Sequence, residues 1–367
     1  MKSSHITEKS FYIFTYVITT GVVFVFAFML LRFPENAGNG ISKGIELCLY
    51  TLFPSMYPFM FLSSFVISSG LCEKSKWIFS YITEKIFRLP GVCGSMIVLS
   101  MVGGLPIGGK MTAEMYDKGY ITKRQGQRLI MFCMNPGPAF VITTVGHYLT
   151  GSAQIGVLVF TALVISSLSV GFLTRFIYSD DDFEYKISKN TACTKISIKD
   201  AIVSSVTESG RGMLNVCAWV ILFSCISEMI ALLPLNEGTK TFINCILEVT
   251  NGCEYAAQSQ PVPVLAGIIG FSGICAHLQI MPAITKVKLP IKYFLSARII
   301  NGSLAVVITM LLLKLFPITV QTISMGSLPE RINTDISAPV CVGIMIMSVL
   351  LLLGENYRIR NKTKKTA

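Results

Sequence analysis

Long apolar runs separated by short polar segments dominate the pattern of this chain. The run from Phe11 to Leu31 has no charged residue over 21 positions, and the run from Ala153 to Thr174 has none over 22. Each run is long enough to cross a hydrocarbon core of about 30 Å as a helix. The candidate crossings lie at 11–31, 41–70, 128–150, 153–177, 200–234, 262–286, 291–316 and 338–354. We therefore predict an all-α polytopic membrane protein with about eight crossings.

The first run is predicted to be a retained helix. It is too long for the apolar part of a signal peptide, and no small-x-small cleavage site follows it.

Two further stretches, 92–126 and 240–258, are apolar at one end and rich in glycine or polar residues at the other. Such segments are poor spanning helices, and non-helical backbone at membrane depth must be buried in protein or line a cavity. We predict that both are re-entrant hairpins, which enter and leave the membrane on the same side.

Composition and charge agree with this topology. Hydrophobic residues make up 52% of the chain and charged residues 14%, against about 25% charged in soluble domains. The net charge of +11 comes largely from short loops and from the final sequence ENYRIRNKTKKTA, as expected for segments on the cytoplasmic side. Counting crossings back from this tail assigns both termini to the cytoplasmic side. The loops assigned to the same side are Glu73–Arg88, 178–200 and Lys286–Arg298. The expected environment is therefore a lipid bilayer, and no nucleic acid partner is expected.

The order of elements predicts an inverted repeat, an arrangement common in secondary transporters. Each unit contains a helix, a hairpin, a broken crossing and a second helix, and the two units have opposite orientation. VLSMVGGLPIG (98–108) takes the position of ILEVTNGCEYA (246–256), and FCMNPGPAFVI (132–142) that of FSGICAHLQIM (271–281). The predicted divisions are an N-terminal helix at 1–40, the first repeat at 41–177, a cytoplasmic linker at 178–199, the second repeat at 200–316, and a C-terminal helix with a basic tail at 317–367.

Two predicted helix breaks carry the first candidate site residues. In MFCMNPGPAF, Pro136 and Pro138 lack amide donors and clash with the preceding helical turn, so the helix must break there. A break frees backbone groups and exposes partial charges of opposite sign, which makes it a candidate binding site. A functionally silent proline kink is the alternative. The candidates for substrate binding at the two breaks are Asn135, Pro136, Gly137, Ser272, Gly273 and Gln279.

The two predicted hairpin tips carry the remaining candidates. Lys110 can pair with an anionic substrate or with a carboxylate, or serve as an interfacial lysine. Glu248 lies in an apolar run, where an ionisable residue is costly and suggests function. It is a candidate for proton coupling or for pairing with Lys110, unless it sits at the interface. His277 is a second coupling candidate, with a packed hydrogen-bonded histidine as the alternative. The remaining substrate-binding candidates at the tips are Gly103, Gly104, Pro106, Gly108, Thr250, Asn251 and Gly252.

Other chemistry finds no support in the sequence. The eleven cysteines are scattered without zinc spacing, and no nucleophile lies beside a base. We expect no metal, no cofactor and no enzymatic activity. Glu208 and Arg211, three residues apart on a helix, are interpreted as a structural pair.

At GGLPIGGKMTAEMYDKGYITKRQGQRLIMFCMNPGPAF, and again at LEVTNGC, GFSGICAHLQI and YFLSARI, the chain resembles a known family over about residues 40–310. The family is that of the sporulation integral membrane proteins with nucleoside-recognition, or Gate, domains. It includes the stage V sporulation transporter, which moves dipicolinic acid across the outer forespore membrane. The resemblance implies location in that membrane or in the cell membrane, and transport of a small organic anion, dipicolinic acid, during spore formation.

Two alternatives stay open. Kinship with concentrative nucleoside carriers suggests a nucleoside or another metabolite as substrate, driven by protons or sodium. A non-transporting scaffold in a sporulation complex is the third reading. The sequence leaves the oligomeric state open, a homo-oligomer included.

Overall fold

The computed structural model of this chain describes residues 2–177 and 197–318. These residues form α-helices and short π-helical segments, and no strand occurs among them. The α-helices are α1 (Lys2–Arg32), α2 (Pro34–Leu47), α3 (Phe53–Ser68), α4 (Leu71–Lys74), α5 (Lys76–Ile82), α6 (Cys93–Gly103), α7 (Leu105–Asp117), α8 (Lys123–Phe132), α9 (Ala153–Ile177), α10 (Ile198–Ala231), α11 (Glu237–Leu247), α12 (Val249–Ser259), α13 (Val262–Phe271), α14 (Gly273–Gln279), α15 (Met281–Lys286) and α16 (Ile291–Leu315). The π-helical segments are Cys48–Leu52, Thr83–Phe87 and Ala139–Leu149.

Four helical runs in the described part of the chain are long and apolar enough to cross a membrane. They are α9, α10, α16 and the run Val262–Gln279, which contains α13 and α14. A fifth candidate is the bent pair formed by Thr19–Arg32 and Pro34–Leu52, which meet at 100°. The prediction of an all-α polytopic membrane protein is confirmed, and the chain is an integral membrane protein.

Part of the predicted organisation lies outside the described residues. This applies to the crossing 338–354, to most of the linker 178–199 and to nearly all of the segment 317–367. The total of eight crossings and the domain boundaries therefore stay predictions.

Two predicted boundaries in the N-terminal part are corrected. The helix expected from residue 41 begins at Pro34, because proline is well tolerated in the first turn of a helix. The segment Glu73–Arg88, expected as a charged loop, folds into α4, α5 and the following π-helical turn. The side chains of Trp77 and Tyr81 are 76% and 69% exposed there, as expected for aromatic residues at a membrane–water interface.

A helical hairpin forms within each of the two predicted stretches, and their re-entry into the membrane stays a prediction. The helices α6 and α7 pack together around a turn at Gly104, and α11 and α12 pack together around a turn at Glu248. Each hairpin is followed by a broken apolar segment and then by a long helix, α9 or α16.

Elements in equivalent positions of the two predicted repeats pack against each other. The helices α2 and α3 contact α10, and α9 contacts α16. At the first of these interfaces, a Cβ added to Gly40 would lie 2.8 Å from Cys225 Cα, and one added to Gly44 would lie 2.7 Å from Ile221 Cα. The two backbones are thus in direct contact across a Gly-x-x-x-Gly pair, a typical device for helix packing in membranes.

The largest buried cluster surrounds the first hairpin. Met60 of α3, Met111 of α7, Phe132 of α8 and Phe294 of α16 are all at most 1% exposed within it. This packing holds the first hairpin and the first helix break in fixed positions relative to α16.

Candidate functional site

The first predicted break is present in the structure. The helix α8 ends at Phe132, and helical structure resumes at Ala139 as a π-helical segment. The carbonyl of Phe132, freed by the break, accepts a hydrogen bond from Ser167 Oγ of α9. A serine from a neighbouring helix therefore satisfies the interrupted backbone, which is how a break is tolerated at membrane depth.

The second break centres on Ser272, which separates α13 from α14, and on Gly273, the first residue of α14. Both residues have a left-handed backbone conformation, with φ values of +75° and +71°. The carbonyl of Gly270 accepts hydrogen bonds from Arg298 Nη2 and, at 3.1 Å, from Asn301 Nδ2. Side chains of α16 thus occupy the carbonyl end of this break.

The first hairpin tip contacts the first break. Gly104 has a φ of +96°, which favours glycine, and a Cβ on it would lie 3.4 Å from the backbone nitrogen of Gly137. A side chain at Gly108 would collide with the carbonyl oxygen of Cys133. The predicted tip Gly103–Lys110 is corrected to a turn at Gly104, because α7 already begins at Leu105.

The second hairpin tip contacts the second break in the same way. A Cβ on Gly273 would lie 3.1 Å from the backbone nitrogen of Val249. Glu248 is the N-cap of α12, and its Oε2 accepts a hydrogen bond from the Asn251 backbone N–H at 2.8 Å. The predicted tip Glu248–Glu254 is therefore corrected to a turn at Glu248, with Thr250 already in the first helical turn.

The two tips and the two breaks meet at one cavity of about 80 Å³. Apolar side chains form much of its wall, including Met56 of α3, Phe140, and Val216 and Val220 of α10. Glu248 is the one ionisable residue among the described residues that line it. Of the predicted site residues, those that line the cavity are Gly103, Gly104, Pro106, Pro136, Gly137, Glu248, Thr250, Ser272 and Gln279.

Helix ends add to the polar character that Glu248, Thr250, Ser272 and Gln279 give this cavity. The amino ends of α7, α12 and the π-helical segment Ala139–Leu149 lie at its wall, through Leu105, Val249 and Ala139. Of these three ends, only that of α12 has a side-chain cap, from Glu248. Helix amino ends carry partial positive charge and free N–H groups.

The other predicted site residues lie outside the cavity wall. Lys110 faces Glu114, with Nζ 3.8 Å from Oε1. Asn135 is fully buried and donates from Nδ2 to Met101 Sδ at 2.9 Å. The remaining residues of this group are Gly108, Asn251, Gly252, Gly273 and His277. A substrate-binding or coupling role for this group stays a prediction.

Three of these outlying residues support the tips and the breaks. Asn251 Nδ2 donates to Ser227 Oγ of α10 at 3.2 Å, which ties the second hairpin to that helix. A Cβ on Gly252 would lie 2.5 Å from Cys245 Cα, so this glycine allows α11 and α12 to touch. His277 Nε2 lies 2.8 Å from the carbonyl oxygen of Phe271, and its ring lies edge-on to Phe294.

Sequence reasoning missed Ser167, Arg298 and Asn301, which satisfy the breaks from α9 and α16. Arg298 is fully buried and lies within the candidate span Ile291–Leu315. A charged residue inside an apolar helix is a signal for function, but Arg298 was counted as the end of a cytoplasmic loop. The predicted pair of Glu208 and Arg211 is confirmed, with Oε1 and Nη1 3.3 Å apart.

Comparison with known proteins gives one relevant similarity. The chain is 25% identical over 326 aligned residues to the sporulation integral membrane protein YlbJ of Bacillus subtilis (strain 168), in an alignment that covers 78% of this chain and 79% of that protein. No family model and no solved structure matches the chain.

Proposed function

We propose that this integral membrane protein transports a small organic anion, dipicolinate, across a membrane of the sporulating cell. The similarity to a protein named for sporulation supports the biological setting. The observation that carries the proposal is the cavity at which both hairpin tips and both helix breaks meet. In secondary transporters, substrate sites lie between repeats, at discontinuous helices of this kind.

The preference for an anion rests on the helix ends around the cavity. Ser167 occupies the carbonyl of Phe132, and Arg298 and Asn301 occupy that of Gly270. The amino ends of α7 and of the π-helical segment Ala139–Leu149, in contrast, have no side-chain cap. The positive end of the helix dipole favours a carboxylate at both uncapped ends. Backbone N–H groups contribute less at α7, because Pro106 has none and the Ile107 N–H donates to the Gly104 carbonyl at 3.1 Å. Two such ends suit a substrate with two carboxylates.

Glu248 opposes this preference when it is ionised. Its carboxylate occupies the amino end of α12, the end that a substrate carboxylate would otherwise reach. Like charges in a desolvated site repel strongly. We therefore propose that Glu248 takes up a proton when the anion binds, which couples proton movement to transport.

The tips must move during this cycle. Pockets for small molecules usually measure about 300–1,000 Å³, and the cavity measures about 80 Å³. The left-handed backbone at Gly104, Ser272 and Gly273 marks the points where the hairpins and breaks touch, and we propose that these contacts separate to admit substrate.

A neutral substrate is the second candidate. Thr250, Ser272 and Gln279 offer neutral hydrogen bonds at the wall, and Glu248 can accept a bond from a hydroxyl. This set would suit a nucleoside or a similar metabolite, with Glu248 or a bound ion as the coupling element.

The test is uptake by proteoliposomes that hold the purified protein, with dipicolinate and uridine measured in parallel. We expect dipicolinate uptake that rises as the external pH is lowered, and that loses this pH dependence in Glu248→Gln. Lys110→Ala tests the sequence prediction in the same assay. Uptake of uridine alone would favour the nucleoside carrier, and uptake of neither substrate would favour the scaffold.

A further inference from the structure

Arg298 is a buried cation with unused hydrogen-bonding capacity. It lies seven residues after the start of α16, or about 10 Å along the helix axis, and is fully buried. Its Nη2 donates to Gly270 O and, at 2.9 Å, to Ser272 Oγ. Its Nε and Nη1 have no hydrogen-bond partner among the described residues.

The structural role of Arg298 does not require its charge. Asn301, one helical turn further along α16, donates to the same Gly270 carbonyl with a neutral amide. A glutamine or a second asparagine could therefore complete the cap. No acidic residue in the described part of the chain forms an ion pair with Arg298, and an unpaired charge at membrane depth is costly.

The position of Arg298 connects its charge to the cavity. Ser272, which accepts its hydrogen bond, lines the cavity wall. Lys110, a half-buried cation near this region, has its Nζ 3.8 Å from Glu114 Oε1 and is outside the wall. Among the residues that the structure describes, Arg298 thus combines two features: it has no acidic partner, and it is hydrogen-bonded to a residue that lines the cavity.

We propose that Arg298 is a specificity-determining residue, whose fixed positive charge behind Ser272 favours anionic over neutral substrates. This inference rests on the proposed transport function and deepens it. Arg298 acts through Ser272 and through its field, and it holds the left-handed turn of the second break in place. The ligand class it selects is a small anion, and under the proposed function a small carboxylate, because Arg298 does not line the cavity and its charge acts on the substrate through the field.

The experiment compares uptake kinetics of Arg298→Lys and Arg298→Gln with the wild-type protein. Lysine keeps the charge and loses the planar fork, whereas glutamine keeps a neutral donor and loses the charge. Arg128→Gln is the matched control, because Arg128 is also buried and donates to the carbonyls of Phe87 and Arg88, away from the cavity wall. The melting temperature of each variant reports its structural effect separately.

We expect Arg298→Gln to raise the KM for dipicolinate about tenfold or more, since a unit charge held ~10 Å from an anion contributes about this factor at an effective dielectric constant of ~20. Arg298→Lys should stay within about threefold of wild type. Arg128→Gln should lower the melting temperature without changing KM. If Arg298→Gln does not fold, Arg298→Lys alone decides the question. A near-normal KM in Arg298→Lys would support a role of the charge, and a rise in its KM of about tenfold or more would contradict it.

The outcomes separate this inference from the proposed function. Wild-type dipicolinate uptake with an unchanged KM in Arg298→Gln would overturn the inference alone. Absence of dipicolinate uptake by the wild-type protein would overturn both.

Discussion

Removing the cap of the second hairpin tip is expected to destabilise the protein more than removing an equivalent cap outside the cavity. Glu248 is 3% exposed and accepts the Asn251 N–H at 2.8 Å. Glu248→Ala removes this acceptor, which costs about 1 kcal/mol for the cap itself. Because Asn251 is half-buried, water replaces the lost bond only in part, and the cost rises to about 1–3 kcal/mol.

Asn236→Ala is the matched control within the same hairpin. Asn236 caps α11, and its Oδ1 accepts the Thr239 N–H at 2.8 Å, but both residues sit where water can replace the lost bond. We expect a loss of no more than about 1 kcal/mol there. Glu248→Gln, whose amide oxygen can still accept from Asn251, should stay close to the wild-type stability.

The assay is unfolding of the three variants by SDS in mixed micelles, with the free energy of unfolding compared with that of the wild-type protein. The expected order of stability is wild type and Glu248→Gln, then Asn236→Ala, then Glu248→Ala. Equal losses in Glu248→Ala and Glu248→Gln would show that the charge, not the cap, holds the tip. No loss in Glu248→Ala would refute the assignment of Glu248 as the residue that fixes the second tip.

Two further predictions concern packing and membrane contact. Gly44→Val should lower the free energy of unfolding by about 1–3 kcal/mol, because its Cβ would lie 2.7 Å from Ile221 Cα, a backbone atom that cannot rotate away; SDS unfolding checks this, and a neutral result would contradict the close α2–α10 contact. Trp77 is highly exposed beside Tyr81, so in a Trp219→Phe background its fluorescence should be quenched by lipids brominated near the headgroup. Quenching by an aqueous quencher alone would place α5 away from the bilayer.

The helix breaks and hairpins could be predicted from the sequence because local residue types specify them. Proline at 136 and 138 forbids a continuous helix whatever surrounds it. The glycines and Pro106 of the first tip predict a tight turn there, although its position at Gly104 is given by the structure. These features need no knowledge of distant contacts.

The second hairpin tip was misplaced because its composition is ambiguous. Residue types that are typical of a turn occur at Thr250, Asn251 and Gly252. A turn at these residues makes Gly252 of the second tip the equivalent of Gly104 in the first. In the structure Glu248 caps α12, so these three residues form its first turn and the equivalent of Gly104 is Glu248. Glu248, which the sequence suggests as an ionisable residue within the membrane, is therefore also the N-cap of α12.

The partners of the broken backbone could not be predicted from the sequence. Ser167 reaches the carbonyl of Phe132 across 35 residues, and Arg298 reaches that of Gly270 across 28. Such contacts depend on how α9 and α16 pack, and no local pattern encodes this. The same limit applies to Lys110, whose side chain approaches Gly212 of α10 rather than the cavity wall.

The most direct test of the claim that substrate passes between the tips and the breaks is dipicolinate uptake by Thr250→Phe. Thr250 lines the cavity, and a phenyl ring there would fill a space of about 80 Å³. Thr161→Phe makes the same change on the exposed surface of α9 and serves as the control. We expect uptake to be lost in Thr250→Phe and kept in Thr161→Phe, with both proteins folded. Wild-type uptake by a folded Thr250→Phe protein would contradict the claim and place the substrate path elsewhere.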